Sequence, residues 1–295
     1  MIHYSYNFKI KDYQHDVFIW YYFRKFYARR SSLFGSHKSS IGNWKKRGSL
    51  TYIAREDLAV CGTDEVKRIF EKYNIEVIDY KPSGTFIKKG DVLIEGRGFA
   101  DAIHAVWKVG TNILEYASGI ATKTKTFVDL AKKVNPKIEV VTTRKNFPGT
   151  KELAIKAILA GGAYPHRLGL SETILVFQEH LEFIGGLDSF LKQLNELKYK
   201  ACEHKIVVEA HNPEDALKLA HAEVDIIQLD KFSPDLLTQT VREIKKISNS
   251  VKVSAAGGIN LTNVETFAAT GVDLLVTSSL YFGKPSDIKA KIESK

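Results

Sequence analysis

The chain has 295 residues, enough for one large or two modest domains around a substantial core. Its 44% apolar and 26% charged residues are those of a globular protein; no run approaches the roughly 20 apolar residues of a membrane span, and two distant cysteines suggest neither a disulfide framework nor a metal knuckle. The net charge of +9 sits almost wholly in residues 1–50, where ten Lys/Arg face two Asp, so the near-neutral remainder is not a nucleic-acid-binding body.

Residues 1–47 read as a basic aromatic segment, with FIWYYFRKFY (Phe18–Tyr27) followed by Arg29, Arg30 and serines to Ser40. Aromatics among cations can stack on bases or anchor at a membrane surface, and the plainer reading is an amphipathic helix docked on the body. The cluster Val17–Phe23 lacks a small-residue cleavage site, so no signal peptide is expected. With Cys61 and Cys202 alone, the expected setting is the reducing cytoplasm.

Residues 48–110 form a first domain by pattern. SLTYIARE and the segments around Pro82-Ser83-Gly84 and Lys89-Gly90-Asp91 alternate apolar with polar residues, as strands joined by turns do. TDEVKRIFEKY (Thr63–Tyr73) reads as an amphipathic helix with Thr63 as N-cap and Val66, Ile69 and Phe70 on one face. Two further helices are expected at Asp101–Tyr116 and Thr122–Val134, parted by Ser118-Gly119.

Within residues 111–280 the rhythm becomes strand–helix–strand. Short apolar strands are read at Val140–Thr143, Thr173–Phe177, Lys205–Ala210, Asp225–Asp230, Lys252–Gly258 and Asp273–Ser279. Helices are expected between them at Lys151–Ala160, Leu187–Leu197, Pro213–Ala222 (capped by Asn212, with proline at N1), from Ser233-Pro234, and at Asn263–Thr270. Buried strands with helices between them indicate a parallel sheet covered by helices, here a (β/α) barrel rather than an open sheet. In such barrels the chemistry sits at the C-terminal ends of the strands.

Those ends carry Thr143-Arg144-Lys145, Glu209, Asp230 and Gly257-Gly258, with His166 and Arg167 after the Gly161-Gly162 stop. Arg offers a planar fork for carboxylate or phosphate, and Lys a point charge. His166 beside Arg167 suits an anion contact. Glu209 and Asp230 suit a sugar diol or a hard divalent ion such as Mg²⁺. Gly257-Gly258 before a helix leaves N–H groups for a phosphate, although a plain turn has the same pattern. The set suits a phosphorylated ribose with a pyrophosphate leaving group, whose oxocarbenium-like transition state needs anion clamps more than a nucleophile.

SGIAT (Ser118–Thr122), TRK (Thr143–Lys145), GGAYPHRLGLSE (Gly161–Glu172), LDKFSP (Leu229–Pro234), AAGGI (Ala255–Ile259) and ATGVD (Ala269–Asp273) resemble the nicotinate-nucleotide pyrophosphorylase, or quinolinate phosphoribosyltransferase, family. WKVGTNILEYASGIAT, TTRKNFPGTKELAIKA and HRLGLSETILVF are similar to its ModD branch of candidate pyrophosphorylases associated with molybdenum-transport genes. The resemblance implies an N-terminal α/β sandwich, an open C-terminal (β/α) barrel, and a segment 281–295 packing back on the sandwich. It also implies a cytoplasmic homodimer in which the partner subunit completes each site. It places Arg144, Lys145, His166 and Arg167 on a dicarboxylate or pyrophosphate, Glu209 and Asp230 on the ribose hydroxyls as catalytic carboxylates, and Thr143 and the Gly257-Gly258 loop with the phosphates. Mg²⁺ is expected with the sugar pyrophosphate.

The departures are specific. Where quinolinate enzymes carry L-I-K-D-N-H, this chain has Leu175-Val176-Phe177-Gln178-Glu179-His180, so a substrate lysine becomes Phe177 in the acceptor pocket. The arginine expected from the neighbouring subunit is Lys108, the S-G-G phosphate loop begins with Ala256, and a glycine after the last strand is Ser278. The family's acidic N-terminal stretch has no counterpart in residues 1–47. Losing one charge-assisted contact costs about 1.5–3 kcal/mol, so the expected acceptor is not quinolinate. The competing reading is a non-catalytic binder of an oxyanion or phosphorylated metabolite.

Overall fold

The computed structural model describes residues 44–169 and 172–294; most of the basic aromatic segment, residues 1–43, lies outside that range. β1 (Arg47–Ala54) runs antiparallel to β5 (Val92–Phe99) and β13 (Ile288–Ser294), and β5 antiparallel to β3 (Glu76–Tyr80). The resulting four-stranded sheet has the order β13-β1-β5-β3, with a small β2 (Leu58–Ala59) and β4 (Phe86–Ile87) pair beside it. Its core takes Leu50, Tyr52, Leu93 and Ile94 from the strands and Val66, Ile69 and Phe70 from α1 (Thr63–Lys72). Thr63 is the first helical residue rather than the cap. Gly62 at φ 94° holds the cap position, and the Thr63 hydroxyl donates to the Lys81 carbonyl at 2.7 Å.

The two helices expected around Ser118-Gly119 are one helix, α2 (Ala100–Val134), of 35 residues. These two small residues are contacts, not a break. Ser118 is fully buried; its hydroxyl accepts from the Cys61 N–H at 3.1 Å and donates to the Cys61 carbonyl at 3.2 Å. A Cβ on Gly119 would run into the Lys284 carbonyl and lie 3.0 Å from Pro285 Cα. Glycine's helix penalty of about 1 kcal/mol is therefore offset by backbone approach. The first half of α2 supplies Ile103, Val106 and Leu114 to the sheet core, and its last turns bury Phe127, Val128 and Ala131 in the barrel core.

The barrel strands are β6 (Glu139–Thr142), β7 (Tyr164–Pro165), β8 (Ile174–Val176), β9 (Ile206–Ala210), β10 (Ile226–Asp230), β11 (Lys252–Ala256) and β12 (Leu274–Thr277). They form one sheet of order β7-β6-β12-β11-β10-β9-β8, and every ladder in it is parallel. β7 and β8, consecutive in the chain, are the two edges, so the barrel is open between Pro165 and Ile174. Val208, Ala210, Ile227, Leu229, Val253 and Ala255 face the helices α3 (Lys151–Ala160), α4 (Gln178–Ile184), α5 (Leu187–Lys200), α6 (Pro213–His221), α7 (Pro234–Ile247) and α8 (Val264–Ala268). α6 starts as its sequence requires, with Pro213 at N1 and the Asn212 side chain accepting from the Asp215 N–H at 2.9 Å. Leu237, Val241 and Ile244 of α7 are buried, a face that contributes about 1.5–3 kcal/mol per side chain.

Where the two layers meet, Lys156 of α3 reaches Asp64 at 2.8 Å and Glu65 at 2.7 Å on α1. Both cysteines are free thiols, and burial pushes that of Cys61 up to about 12. No helix among the described residues is long and apolar enough to cross a membrane.

Candidate active site

Because the seven strands run parallel, their C-terminal ends share one rim. β6 delivers Thr143, Arg144 and Lys145; β7 delivers His166 and Arg167; β9 carries Glu209, β10 Asp230, and the turn after β11 Gly257 and Gly258. Ser278 follows β12 and opens the 3₁₀ turn Ser279–Phe282. Period-2 alternation puts Glu209, Gln228, Asp230 and Ser254 on the face opposite the helix-packed residues. Two surface hollows of about 520 and 500 Å³ lie elsewhere, one beside α7 and one along β3, and neither includes a rim residue.

On one side the rim is cationic. Arg167 is held below its ordinary value by burial and then by the charge of Arg144, with Glu172 opposing, so the two guanidiniums act on each other across the rim. Arg167 also donates to the Thr173 carbonyl at 3.4 Å, which ties it across the barrel opening. Arg144 and Lys145 are exposed. The Thr143 carbonyl accepts from the Tyr281 hydroxyl at 2.9 Å, fixing the strand end beneath them. His166 can meet an anion only as a neutral hydrogen-bonding group: burial first, then Arg167, push it down to about 4, so at neutral pH it is an uncharged imidazole.

The other side is acidic, and it contains a residue that the strand-end reading missed. His211 follows Glu209 by two positions, and its Nε2 lies 3.1 Å from Glu209 Oε1 while its Nδ1 lies 3.9 Å from Asp230 Oδ2. The Glu-x-His spacing carried that signal, because period 2 returns both side chains to one face. Gln228 donates to the other Glu209 oxygen at 2.8 Å. Glu209 is raised above the usual carboxylate range by burial and by the charge of Asp230, with the Gln228 hydrogen bond opposing. Gln228 Oε1 and Ser254 Oγ, paired across the β10–β11 register, are buried without a hydrogen-bond partner and make a polar floor. Glu209, His211 and Asp230 can each present one ligand atom within 4.8 Å of the others. Two carboxylates suit a hard divalent cation such as Mg²⁺.

Between these sides lies the glycine turn. Gly257 has φ 91° and Gly258 φ 74°. A Cβ on Gly257 would lie 2.7 Å from Lys231 Cγ and 2.8 Å from Lys231 N, whereas one on Gly258 would meet nothing within 4 Å. The Cβ side of Gly258 is therefore open to a ligand, while its carbonyl accepts from the Asn260 and Asn263 side-chain amides at 3.1 Å each. Lys231 itself has φ 59°, a left-handed conformation that costs an L-residue about 1–2 kcal/mol.

Phe177, between β8 and α4, stacks on His180 with ring centroids 5.6 Å apart, and its N–H donates to His180 Nδ1 at 2.9 Å. Lys108 lies on the first half of α2, the half that packs on the four-stranded sheet, and its exposed side chain puts Nζ 4.3 Å from the Trp107 ring centre.

The fold and site have counterparts. The family models for the quinolinate phosphoribosyl transferase N-terminal and C-terminal domains match residues 33–118 and 120–291. The candidate pyrophosphorylase ModD of Pasteurella multocida is 36% identical over 236 residues, 80% of this chain and 84% of that protein. A candidate carboxylating nicotinate-nucleotide pyrophosphorylase of Archaeoglobus fulgidus is 32% identical over 79% of this chain and 90% of its own length. The crystal structure of nicotinate-nucleotide pyrophosphorylase from Ehrlichia chaffeensis superposes with a TM-score of 0.78, covering 88% of this chain and 92% of that one; at 24% identity it speaks for the fold alone. Matched across both layers, the chain belongs to the quinolinate phosphoribosyltransferase family.

Proposed function

We propose that this phosphoribosyl-transferring enzyme takes its phosphoribosyl group from a 5-phosphoribosyl pyrophosphate and gives it to an acceptor less anionic than quinolinate. The carrying observation is that one parallel rim holds the Arg144–Arg167 pair, the Gly257-Gly258 turn and the Glu209–Asp230 carboxylates. In this reading Arg144, Lys145 and Arg167 clamp the pyrophosphate, aided by Thr143 and by neutral His166 as a hydrogen-bonding group. The Gly257-Gly258 N–H groups and Ser278 take the 5′-phosphate. Glu209 and Asp230 hold the ribose hydroxyls as positive charge develops at the anomeric carbon. Pyrophosphate departs with the bonding pair of its C–O bond, and the acceptor supplies the new pair. Anion clamps at the leaving group and carboxylates near the cationic sugar both favour that transition state. Glu209 and Asp230 would hold Mg²⁺, which would supply neutralising charge to the bound sugar pyrophosphate. Titration calorimetry with 5-phosphoribosyl pyrophosphate and Mg²⁺ tests the ribosyl half, and no heat at millimolar ligand would remove it.

Phe177 supports the acceptor assignment. An aromatic ring stacked on His180 gives an acceptor carboxylate no counter-charge and strips its water without compensation. Phe177→Lys should raise quinolinate affinity by about tenfold or more. A variant that binds quinolinate no better than the parent would take Phe177 out of the acceptor pocket.

A second copy of the chain is the proposed source of Lys108, whose position on α2 fits a group offered across a subunit boundary. Similarity to ModD proteins supports a role alongside molybdenum transport in the cytoplasm, and the two free thiols accord with a reducing compartment.

A further inference from the structure

Among the described residues, three non-glycine positions have a left-handed backbone: Asn74, Glu223 and Lys231. Asn74 follows α1 and Glu223 follows α6, where left-handed residues commonly close helices. Lys231 closes no helix. It follows β10 directly, and its N–H donates to the Ala256 carbonyl of β11 at 2.8 Å, which fixes the turn. Asparagine or glycine would meet that backbone more easily, since a short or absent side chain relieves the clash. A lysine kept in a strained backbone at a strand end calls for a role for its side chain.

The side chain has one. Its stem lies across Gly257, with Cγ the nearest atom to where a Cβ would stand. Its ammonium is 3.7 Å from Asp230 Oδ2, yet the side chain is 80% exposed. That contact is long for a charge-assisted hydrogen bond and weak in water, so the ammonium is free to swing. Gly258, open on its Cβ side, lies next along the same turn. The left-handed turn thus keeps an exposed cation beside the two glycines, with its stem against Gly257 and open space on the Cβ side of Gly258.

We propose that Lys231 is a phosphate-binding residue of this site, closing the Gly257-Gly258 turn over the 5′-phosphate of the sugar substrate. The assignment rests on the ribosyl reading above and adds a group to it. It predicts a division of labour, with the 5′-phosphate held by Lys231 and the turn, and pyrophosphate held by Arg144, Lys145 and Arg167 on the other side of the rim.

Calorimetric binding of ribose 5-phosphate and of inorganic pyrophosphate to the full chain separates the outcomes. Lys231→Met should weaken ribose 5-phosphate by about tenfold and leave pyrophosphate unchanged, and Lys231→Arg should restore most of the loss. Lys231→Asn should lose the same affinity while melting at or above the parent's temperature, because the backbone strain is relieved. A Met variant that binds ribose 5-phosphate like the parent overturns the assignment. Equal losses for both ligands also overturn it, since they would put the lysine's effect on Asp230 or on the general field. A parent chain that binds neither ligand removes the ribosyl reading itself, and the assignment with it.

Discussion

Glu209→Ala weakens binding of 5-phosphoribosyl pyrophosphate in the presence of Mg²⁺ by about ten- to a hundredfold, the worth of a hydrogen bond to a charged group. The same substitution leaves binding of a simple oxyanion such as molybdate unchanged or improves it. The reason is the pairing on the rim: Glu209 shares its oxygens with Gln228 and His211, and Asp230 is close enough to raise it. A pocket built only to trap an anion gains by losing that charge, whereas one that grips a ribose diol loses a partner. Calorimetry with both ligands reads the difference directly. Because Glu209 is raised by burial, the sugar's affinity should also fall on acidification at a higher pH than an ordinary carboxylate near 4.3 would give. Unchanged sugar-pyrophosphate affinity in the Ala variant would sink the diol role and leave the non-catalytic binder standing.

Lys156→Met lowers stability by about 2–3 kcal/mol, or roughly 5–10 °C in melting temperature. Lys156 joins the two layers, at 2.8 Å from Asp64 and 2.7 Å from Glu65, and the Ser83 hydroxyl also donates to Asp64 at 2.9 Å. The Glu65 side chain is only 11% exposed, and its Oε2 already lacks a partner. Removing the ammonium leaves two neighbouring carboxylates uncompensated. Breaking a fully buried pair costs about 3–5 kcal/mol, and the partial exposure of Asp64 lowers that figure. The pH dependence has a defined sign. Burial would raise Asp64, but Lys156 and Ser83 outweigh it and hold the carboxyl below its ordinary value of 3.8. Burial would lower Lys156, but Glu65 and Asp64 hold it above 10.5. The carboxylate's contribution is present above its unfolded value and lost as pH falls through the depressed folded one. The ammonium's is present below its unfolded value and lost as pH rises through the raised folded one. The gap between parent and variant should therefore be widest from about pH 5 to 9 and close at both extremes. Melting curves across that range check it, and a gap independent of pH would mean that packing, not charge, carries the effect.

The sequence by itself determined six of the seven barrel strands, most of the helices between them and the residues at the strand ends, because these are local. The two-residue edge strand β7 and the short α4 are too brief to leave a periodic pattern. Short apolar runs set the strands, Asn212-Pro213 and Ser233-Pro234 start helices, and a parallel sheet must bring all its C-terminal ends to one side. The open barrel beside an α/β layer agrees with that reading. Ser118-Gly119 was misread as a break because small residues allow either a bend or a close contact, and only the Cys61 and Lys284 backbones facing them decide which. The tertiary structure alone decided that His166 is neutral, since its charge depends on burial and on Arg167 rather than on its own chemistry. It also placed His211 between two carboxylates from different strands, Lys156 between two layers, and Lys231 in a left-handed turn against Gly257. For His211, Lys156 and Lys231 the deciding neighbour is distant in sequence: Asp230, Asp64 and Gly257. Local patterns give periodicity and chain order; electrostatics and strain belong to pairs that only the folded chain brings together.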